Sequence, residues 1–552
     1  MNLHYFGFNF LKKNKLWSIS SLILFILNYP LEIISLSVLI SLIFTKINNL
    51  EKNFKTICVL IAILIVVFLF LESTVYLKDR IDSHYFPKME REIRLGIYNL
   101  VMKKIEINYD NLKSGDLISR LLKTPTFVSF YYERINRYII PYILTIVTIV
   151  IYLTYLNPLI GFASSLIFGA YTYIIYLIGK TDIKNSQDRE TEEHNMLEEI
   201  DDTLNNSLSI ITSGNIDNEH IRISGIHNSY DKILEKQAKG SCLVKYSTSI
   251  LNIVIFLILV SSTLYLFKIG KISTQTTIAI ITIFIFLLKH FRILVPRVCE
   301  YFVFHGTLEE NNNFIKDMIG ETEVDGTLKN FPIKGNIEFR NVFFQYPNSS
   351  KLTLKGITFK IKENEKVAIV GTSGSGKSSI LKLILGFYKP SKGTILIDGR
   401  DVTQINRKYL RSNISIVNQN IKLFNRSILS NIAYATKYTP NQIAEKLQKM
   451  DIMKVFHNLP KGLESSVGKY GDRLSGGQKQ IVYLLRCYFR ENPIIILDEP
   501  TASIDDFHKE QVLKLINEIS KKSTLIIISH DQSIYNLFPK QIHIHQGEQR
   551  FR

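Results

Sequence analysis

Cysteine is scarce in this chain, which has four cysteines among 552 residues. They are far apart in the sequence, and no two of them form a C-x-x-C pair. Metal and redox sites usually group their thiols at short spacings, so this distribution argues against both kinds of site. We therefore expect buried, small apolar side chains without a ligand or redox role at all four positions, which are Cys58, Cys242, Cys299 and Cys487.

A basic tract interleaved with stacking aromatic residues is also lacking, although the formal net charge is +18. Proteins that bind nucleic acid concentrate Lys and Arg on one face or in one tract, whereas here they are scattered, so we expect no nucleic-acid partner. Basic residues beside membrane spans on the cytoplasmic side explain the charge more simply. No cleavable signal is predicted, because Lys12, Lys13 and Lys15 precede an apolar run too long for a signal core.

Long apolar runs fill the first three hundred residues, whereas the rest has the composition of a soluble α/β domain. A chain of this length is too long for one core, and runs near twenty residues are long enough to cross a bilayer as helices. Two short outer loops, two long inner excursions and both ends in the cytoplasm satisfy the positive-inside rule. The first inner excursion, 78–108, keeps apolar residues at helical spacing, so a helix is expected to continue well past the membrane, and the long polar segment 179–239 mirrors it. Six spans are predicted, at about 17–44, 57–77, 135–156, 159–178, 243–267 and 276–295.

Two polar features lie within these spans. Glu32 follows Pro30 near the middle of the first span, and Lys289, His290 and Arg292 lie toward the cytoplasmic end of the last. Charge inside a membrane is costly and commonly functional, which makes Glu32 and Arg292 candidates to line a substrate pathway. The alternative is structural: Lys289 and Arg292 extend to the lipid headgroups, and Glu32 has a pairing partner. Both interpretations stay open.

A glycine-rich loop lies between an apolar, β-branched run at 367–370 and a helical pattern at 380–385. In such a strand–loop–helix unit, glycines let backbone N–H groups converge on phosphate oxygens. Lys377 can reach the β- and γ-phosphates, and Ser378 offers a hydroxyl to Mg²⁺. The spacing predicts a site for a nucleotide phosphate chain, formed by Gly371, Thr372, Ser373, Gly374, Ser375, Gly376, Lys377, Ser378 and Ser379.

Further motifs follow this loop. An aliphatic run at 494–497 leads to Asp498 and Glu499, and a second run at 525–528 precedes His530. A carboxylate at the end of a buried strand can hold the shell of a Mg²⁺ ion, and the next carboxylate can polarise an attacking water. Gln419 follows another apolar run, and the pentapeptide Leu-Ser-Gly-Gly-Gln occupies 474–478.

In this order the motifs resemble the nucleotide-binding domain of ATP-binding cassette transporters, and the six-span half resembles the exporter-type membrane domain of that superfamily. The resemblance covers nearly the whole chain. It implies an all-α six-helix transmembrane domain with long intracellular helical extensions. An α/β phosphate-loop NTPase domain with an antiparallel β subdomain and a helical signature subdomain should follow. The corresponding boundaries are 1–310 for the membrane domain, 311–335 for the linker and 336–552 for the nucleotide-binding domain.

The resemblance implies a role for each motif in binding and hydrolysing ATP. Glu499 is similar to the residue that polarises the attacking water, and His530 to the switch histidine that reaches the γ-phosphate. Gln419 is similar to the glutamine that contacts Mg²⁺ and the attacking water. Asp498 and Ser378 complete the implied Mg²⁺ ligands.

Other positions match residues that surround the nucleotide in this family. Tyr346 matches the aromatic residue that stacks on adenine, and Asp505 matches the acid of the loop that communicates across a dimer. In the family, the signature of one domain covers ATP bound at the glycine loop of another. That role falls to Ser475, Gly476, Gly477 and Gln478. One chain has one loop and one signature, so a second copy or a related chain is needed, and a homodimer is the simplest closure.

The resulting expectation is a multi-pass membrane ATPase, with its nucleotide-binding domain in the cytoplasm, that exports or flips a hydrophobic or amphipathic substrate. Flipping of a lipid or a lipid-linked oligosaccharide, uptake on an exporter fold, and a regulator or channel on the same scaffold are the alternatives. Ile481 and Lys469 depart from the family, which usually has an arginine and an acid there. Helices that couple the two domains are expected near 105–114 and 205–222.

Overall fold

The computed structural model describes residues 3–47, 50–107, 114–319, 325–347, 349–418, 422–450, 452–501 and 504–550. The chain forms two compact units, Met1–Thr322 and Glu323–Arg552. The division between them falls inside the stretch assigned to a linker, 311–335. The last helix of the first unit continues to Ile319, past the proposed end of the membrane domain at 310.

In the residues described in it, the first unit consists of helices joined by short turns. One π-helical turn, Ile135–Ile139, joins two of the α-helices. Asn157 ends one helix and caps the next, since its Oδ1 accepts from the backbone N–H of Leu159 at 3.0 Å. The α-helices are α1 (Leu3–Lys13), α2 (Lys15–Ile47), α3 (Leu50–Ile107), α4 (Ser114–Arg134), α5 (Ile140–Leu156), α6 (Pro158–Asn205), α7 (Ser207–Thr212), α8 (Ile216–Lys268) and α9 (Thr274–Ile319).

Within the described residues, five helical stretches are long and apolar enough to cross a membrane, by length and composition. They contain the second to sixth predicted spans, and the protein is a multi-pass membrane protein. The first predicted span lies in α2, which is not among the five. Helix α3 has 58 residues, about 87 Å at 1.5 Å per residue, which far exceeds the hydrocarbon core of a bilayer. This length confirms the expected helical extension beyond the second span.

A buried polar network joins α4, α6 and α9 within the first unit. The Glu190 side chain is 1% exposed, and its Oε1 accepts from Asn311 Nδ2 at 3.3 Å. His194 Nε2 lies 3.3 Å from the same oxygen, and Arg189 Nη2 lies 3.7 Å from Oε2. Asn311 Oδ1 in turn accepts from the hydroxyl of Thr124 at 3.0 Å. Because a buried carboxylate is costly without partners, this network ties the three helices together.

The second unit contains two β-sheets with helices around them. One sheet has six strands in the order β10-β9-β3-β8-β7-β6, and the other has four in the order β2-β1-β4-β5. The strands are β1 (Ile337–Phe344), β2 (Leu354–Ile361), β3 (Lys366–Val370), β4 (Lys392–Ile397), β5 (Arg400–Asp401), β6 (Ile414–Val417), β7 (Ile494–Asp498), β8 (Thr524–Ile528), β9 (Lys540–His545) and β10 (Glu548–Arg550). The helices are α10 (Lys377–Ile384), α11 (Arg407–Ser412), α12 (Ile428–Ile432), α13 (Pro440–Lys449), α14 (Gly476–Arg490), α15 (Asp506–Ile519) and α16 (Gln532–Tyr535), with 3₁₀ turns at Ile452–Phe456 and Gly462–Glu464.

Parallel pairing of the aliphatic strands sets the position of the site. Strands β3, β8, β7 and β6 run parallel, and β9 runs parallel to β3. The two aliphatic runs recognised in the sequence are β7 and β8, and the residues of β8 are buried along its whole length. Continuous burial is typical of parallel strands covered on both faces. The carboxyl ends of β3, β7 and β8 therefore meet at one edge of the sheet. The antiparallel four-stranded sheet confirms the β subdomain that the resemblance implied.

The expectation that all cysteines are buried is wrong for two of them. Cys299 and Cys487 are buried, whereas Cys58 and Cys242 are exposed, and all four are free thiols. Cys58 lies on α3 and Cys242 on α8, each on a face that the unit leaves uncovered. Small apolar character does not determine which side of a helix a cysteine occupies.

Candidate functional site

The glycine loop connects the carboxyl end of β3 to the first residue of α10, Lys377. Gly374 and Gly376 adopt positive φ angles of 76° and 106°, which favour glycine, and Gly376 is the N-cap residue of α10. The Lys377 ammonium donates hydrogen bonds to the carbonyl oxygens of Gly371 at 2.7 Å and Thr372 at 2.9 Å. The Lys377 ammonium therefore lies over the glycine loop, where the phosphate chain is predicted to bind.

Two observations within the loop are compatible with a phosphate chain. The buried hydroxyl of Ser375 has no hydrogen-bond partner among the described residues. A Cβ atom at Gly371 would lie 2.6 Å from that hydroxyl oxygen, so only glycine leaves it this space. A helix N-terminus beside an unused donor and a lysine is a suitable environment for an anion.

Asp498 and Glu499 lie at the end of β7, as their sequence position predicted. Asp498 pairs with Ile528 of β8, and the Glu499 backbone N–H donates to the Ile528 carbonyl at 2.9 Å. Glu499 has a φ angle of +50°, a left-handed conformation that is uncommon for a residue with a side chain. Its Oε1 lies 2.8 Å from Nδ1 of His530, the residue that follows β8 by two positions. The structure therefore brings both carboxylates and the predicted switch histidine together.

The electrostatics of the site couple the loop to these carboxylates. Burial raises the pKa of Asp498, and the neighbouring Glu499 charge raises it further, while Lys377 opposes both effects. Burial lowers the pKa of Lys377, and Glu499 and Asp498 oppose that shift. The positive charge of Lys377 therefore does not fully offset the cost of ionising Asp498, and an added cation would stabilise the carboxylate further.

Tyr346 lies beside the loop helix. Its hydroxyl is 3.0 Å from Ser379 Oγ, and its ring makes edge contacts with Phe344 and Tyr388 at centroid distances of 4.8 and 5.2 Å. Lys382 Nζ lies 5.4 Å from the ring centroid. The aromatic ring is held next to α10 by these contacts, and its stacking on adenine stays a prediction.

The signature residues form the N-cap and first turn of α14. Ser475 is the N-cap: its hydroxyl accepts from the Gln478 N–H at 3.2 Å, and Gln478 Oε1 accepts from the Ser475 N–H at 3.0 Å. Gln478 also donates to the Val455 carbonyl at 3.0 Å. Among the described residues, no hydrogen bond or ion pair joins 475–478 to the glycine loop at 371–379 of the same chain.

Asp505 caps the next helix, α15, and contacts His508. Its Oδ1 accepts from the His508 N–H at 2.9 Å, and its Oδ2 lies 2.7 Å from Nδ1 of the imidazole. The hydrogen bonds from the backbone and ring of His508 lower the pKa of Asp505. Gln419, assigned to catalysis and to Mg²⁺, lies outside the described residues.

Sequence reasoning gave no role to several residues that support these groups. The buried Ser529 hydroxyl donates to Glu499 Oε2 at 3.5 Å and accepts from the Asp531 N–H at 3.0 Å. Lys509 Nζ lies 3.1 Å from Asp531 Oδ2. Ser529 could have been noticed, since it stands between an aliphatic strand and His530, but the Lys509 contact depends on packing.

The polar residues of the membrane spans separate into two groups. Glu32 Oε2 lies 3.6 Å from His290 Nε2, an ion-pair distance that is too long for a hydrogen bond. Lys289 and Arg292 are exposed on the other faces of α9. The pairing supports the structural alternative for Glu32, whereas a role for Arg292 in a substrate pathway stays a prediction.

Ile481 and Lys469, the two positions that depart from the family pattern, have different surroundings. Ile481 is fully buried in the core around α14, where an arginine would need a partner. Lys469 is exposed, with Nζ 5.4 Å from the Tyr470 ring. The first predicted coupling helix, near 105–114, includes positions outside the described residues. In the second, 205–222, the short helix α7 exposes Leu208 and Ile211.

Comparison with known proteins agrees with this architecture. Residues 354–502 match the family model for ABC transporters, and residues 17–291 match that for the ABC transporter transmembrane region. The ATP-dependent lipid A-core flippase of Haemophilus influenzae (strain 86-028NP) is 37% identical over 235 residues, or 42% of this chain and 40% of that protein. The corresponding flippase of Escherichia coli (strain K12) is 39% identical over 198 residues, or 36% of this chain and 34% of that protein. The matched region thus spans about 40% or less of these curated relatives' length.

A solved structure extends the comparison to the whole fold. A bacterial Atm1-family ABC exporter with ATP bound superposes with a TM-score of 0.86 at 19% identity, covering 98% of this chain and 95% of that one. Agreement at this identity concerns the fold alone. Both family matches agree with the helical unit and with the α/β unit that carries the glycine loop and the signature. The chain therefore belongs to the ABC transporters, with the transmembrane region of that family fused to its ATP-binding domain.

Proposed function

We propose that the protein couples ATP hydrolysis to export or flipping of a hydrophobic or amphipathic substrate across the membrane, by alternating access. The observation that carries this proposal is the convergence of Lys377, Asp498, Glu499 and His530 at one edge of the parallel sheet. These groups provide a cation for phosphate oxygens, a carboxylate for a metal ion and a second carboxylate for water. Such a set serves phosphoryl transfer to water.

The residues at this edge of the sheet have different roles in ATP hydrolysis. Lys377 exchanges its two carbonyl contacts for phosphate oxygens of ATP, and the loop N–H groups bind the same oxygens. Glu499 accepts a hydrogen bond from the attacking water and orients it toward the γ-phosphate. His530 holds Glu499 through Nδ1 and, with its side chain 71% exposed, can reach the phosphate as well.

Oxygen ligands suited to Mg²⁺ are present beside the loop. Asp498 has a pKa raised by burial and by Glu499, so a cation would stabilise its ionised form. The Ser378 hydroxyl is exposed at the start of α10. We assign Ser378 and Asp498 to the metal, together with Gln419. When bound, the ion would withdraw charge from the phosphate oxygens.

We assign the second half of each ATP site to another copy of the chain. The signature, Ser475–Gln478, makes no hydrogen bond or ion pair with its own glycine loop in the described residues, and its first two residues, Ser475 and Gly476, are exposed. A homodimer would supply two such composite sites, placed in the cytoplasm on the basic side of the spans. The exposed apolar residues of α7 are candidates to couple the membrane region to an ATP-binding domain.

Amphipathic lipids are the substrate class that we favour within this function. The curated relatives are named lipid A-core flippases, although the matched region covers only part of them. A flippase and an exporter of small hydrophobic molecules use the same ATP chemistry, so the membrane assay has to separate them.

Reconstitution into liposomes tests the proposal. ATP hydrolysis by the unaltered protein should be stimulated by lipids more than by peptides or hydrophobic drugs, and Glu499→Gln should abolish it while retaining ATP binding. Full turnover by Glu499→Gln would contradict the catalytic assignment. Hydrolysis by a strictly monomeric protein would contradict the composite site.

A further inference from the structure

His508 lies between two elements of the ATP site. It is on the first turn of α15, and its Nδ1 is 2.7 Å from Oδ2 of Asp505. The imidazole side chain is only 14% exposed, whereas the Asp505 side chain is 61% exposed. The histidine is therefore held inside the domain, while the carboxylate that it contacts remains available at the surface.

The opposite side of His508 contacts the signature. A Cβ atom at Gly477 would lie 2.6 Å from Cβ and 2.9 Å from Cδ2 of His508. Gly477 is buried, so the absence of a side chain there lets the start of α14 rest directly on the histidine. One side chain thus touches the signature turn and binds the acid of the neighbouring loop.

The same helical turn also leads to the catalytic carboxylate. Lys509, the next residue, has Nζ 3.1 Å from Asp531 Oδ2. The Asp531 N–H donates to Ser529 Oγ, and that hydroxyl contacts Glu499 Oε2. A continuous series of contacts therefore runs from the signature through the first turn of α15 to the residue that orients water. Such a series shows where coupling could pass, and only perturbation of both ends measures it.

We propose that His508 is a positioning residue for ATP turnover, which holds the Asp505 carboxylate and the Gly477 turn in the one arrangement that lets two copies close on ATP. This inference rests on the proposed function. His508 need not touch the nucleotide, because its effect passes through Asp505 and the signature. Loss of the Nδ1 contact would leave the exposed carboxylate held only by its N-cap hydrogen bond from the His508 backbone N–H, so Oδ2 would lose its fixed position and closure would require more ATP.

Two substitutions separate the functions of the ring. His508→Phe keeps a ring against Gly477 and removes the donor to Asp505, whereas His508→Asn keeps an N–H donor near the position of Nδ1. With the full-length protein in liposomes, His508→Phe should raise the ATP concentration for half-maximal hydrolysis by about three- to ten-fold, as expected for loss of one typical hydrogen bond at an exposed side chain. The maximal rate should change less than about two-fold, and His508→Asn should restore the affinity.

Two further measurements distinguish positioning from folding. The midpoint of thermal unfolding without nucleotide should be unchanged, and the exposed His457→Phe serves as the matched control. Binding of a fluorescent ATP analogue to the Glu499→Gln protein should show the same loss of affinity with His508→Phe. Binding is measured only for folded protein. This measurement therefore tests the positioning role even if His508→Phe lowers the stability of the protein.

The outcomes are separable. A protein that hydrolyses ATP but has the same ATP dependence with His508→Phe would overturn the inference alone, as would a His508→Asn variant as impaired as the Phe variant. A protein that neither binds nor hydrolyses ATP would overturn the proposed function and this inference with it. A selective loss of ATP affinity that His508→Asn restores would support the positioning role.

Discussion

His530 Nδ1 lies 2.8 Å from Glu499 Oε1, although the two residues follow different strands, β8 and β7. The Glu499 side chain is 11% exposed and that of His530 is 71% exposed. The pair therefore links a nearly buried carboxylate to a side chain at the surface of the site. Glu499 is additionally constrained by its left-handed backbone, so its carboxylate depends on neighbours for orientation.

Replacing His530 by alanine should slow hydrolysis without preventing ATP binding. Loss of the contact leaves Glu499 less well oriented toward water, and we expect kcat to fall roughly a hundred-fold, at the lower end of general-base effects. Steady-state ATPase kinetics and binding of a fluorescent ATP analogue measure the two properties. His457→Ala is the control. A large loss of binding with unchanged kcat would assign His530 to the nucleotide rather than to Glu499.

Replacing Lys377 by methionine should weaken ATP binding. The ammonium donates two hydrogen bonds to loop carbonyls, which shows that it can reach the interior of the loop. A charge-assisted hydrogen bond contributes about 1.5–3 kcal/mol, so affinity should fall at least about ten-fold. Equilibrium binding of the analogue checks this, with the exposed Lys392→Met as the matched control. Equal affinity of both variants would refute the phosphate role of Lys377.

The raised pKa of Asp498 predicts a pH-dependent gain in stability for Asp498→Asn. When an acid has a higher pKa in the folded protein than in the unfolded chain, the protein loses stability as the pH rises from the unfolded pKa through the folded pKa. Replacing the Asp498 carboxylate by an amide removes this penalty, so the variant should unfold at a higher temperature near neutral pH. The difference should shrink below the ordinary Asp pKa of about 3.9. Thermal unfolding without nucleotide across this pH range tests the sign, and a constant difference would contradict it.

Replacing Glu190 by alanine should destabilise the membrane unit. His194, Arg189 and Asn311 would lose a shared buried acceptor, and breaking a buried ionic contact costs about 3 kcal/mol or more. The thermal unfolding midpoint in detergent should fall clearly. Glu235→Ala is a matched control on α8, because its pair with Lys239 is 63% and 75% exposed and should contribute little. Equal midpoints for the two variants would show that the network is not stabilising.

Much of the ATP-binding unit could be predicted because its motifs are local. The aliphatic strand before Asp498 and the glycine loop before α10 each determine their own conformation within a few residues. Their convergence follows from parallel pairing, which places the carboxyl ends of neighbouring strands together. The contacts of His508 and Lys509 were not predictable, since each partner lies on another element and no periodic pattern encodes it.

The membrane unit shows the same contrast. The segment after the fourth span is polar, and Asp182, Ser186, Glu190 and His194 recur there at every fourth position. That spacing places them on one face, but only the structure shows that the face is buried.

The sequence by itself determined the long apolar helices, the helical extensions, the two kinds of domain and the motifs at the strand ends, because hydrophobic length and local spacing act within one element. The tertiary structure alone decided which cysteines are buried, that Glu32 lies beside His290, and that Glu190 and His508 have partners. These outcomes depend on burial and on contacts between distant parts of the chain. The free energy of a polar or charged side chain is set by those surroundings rather than by its neighbours in sequence.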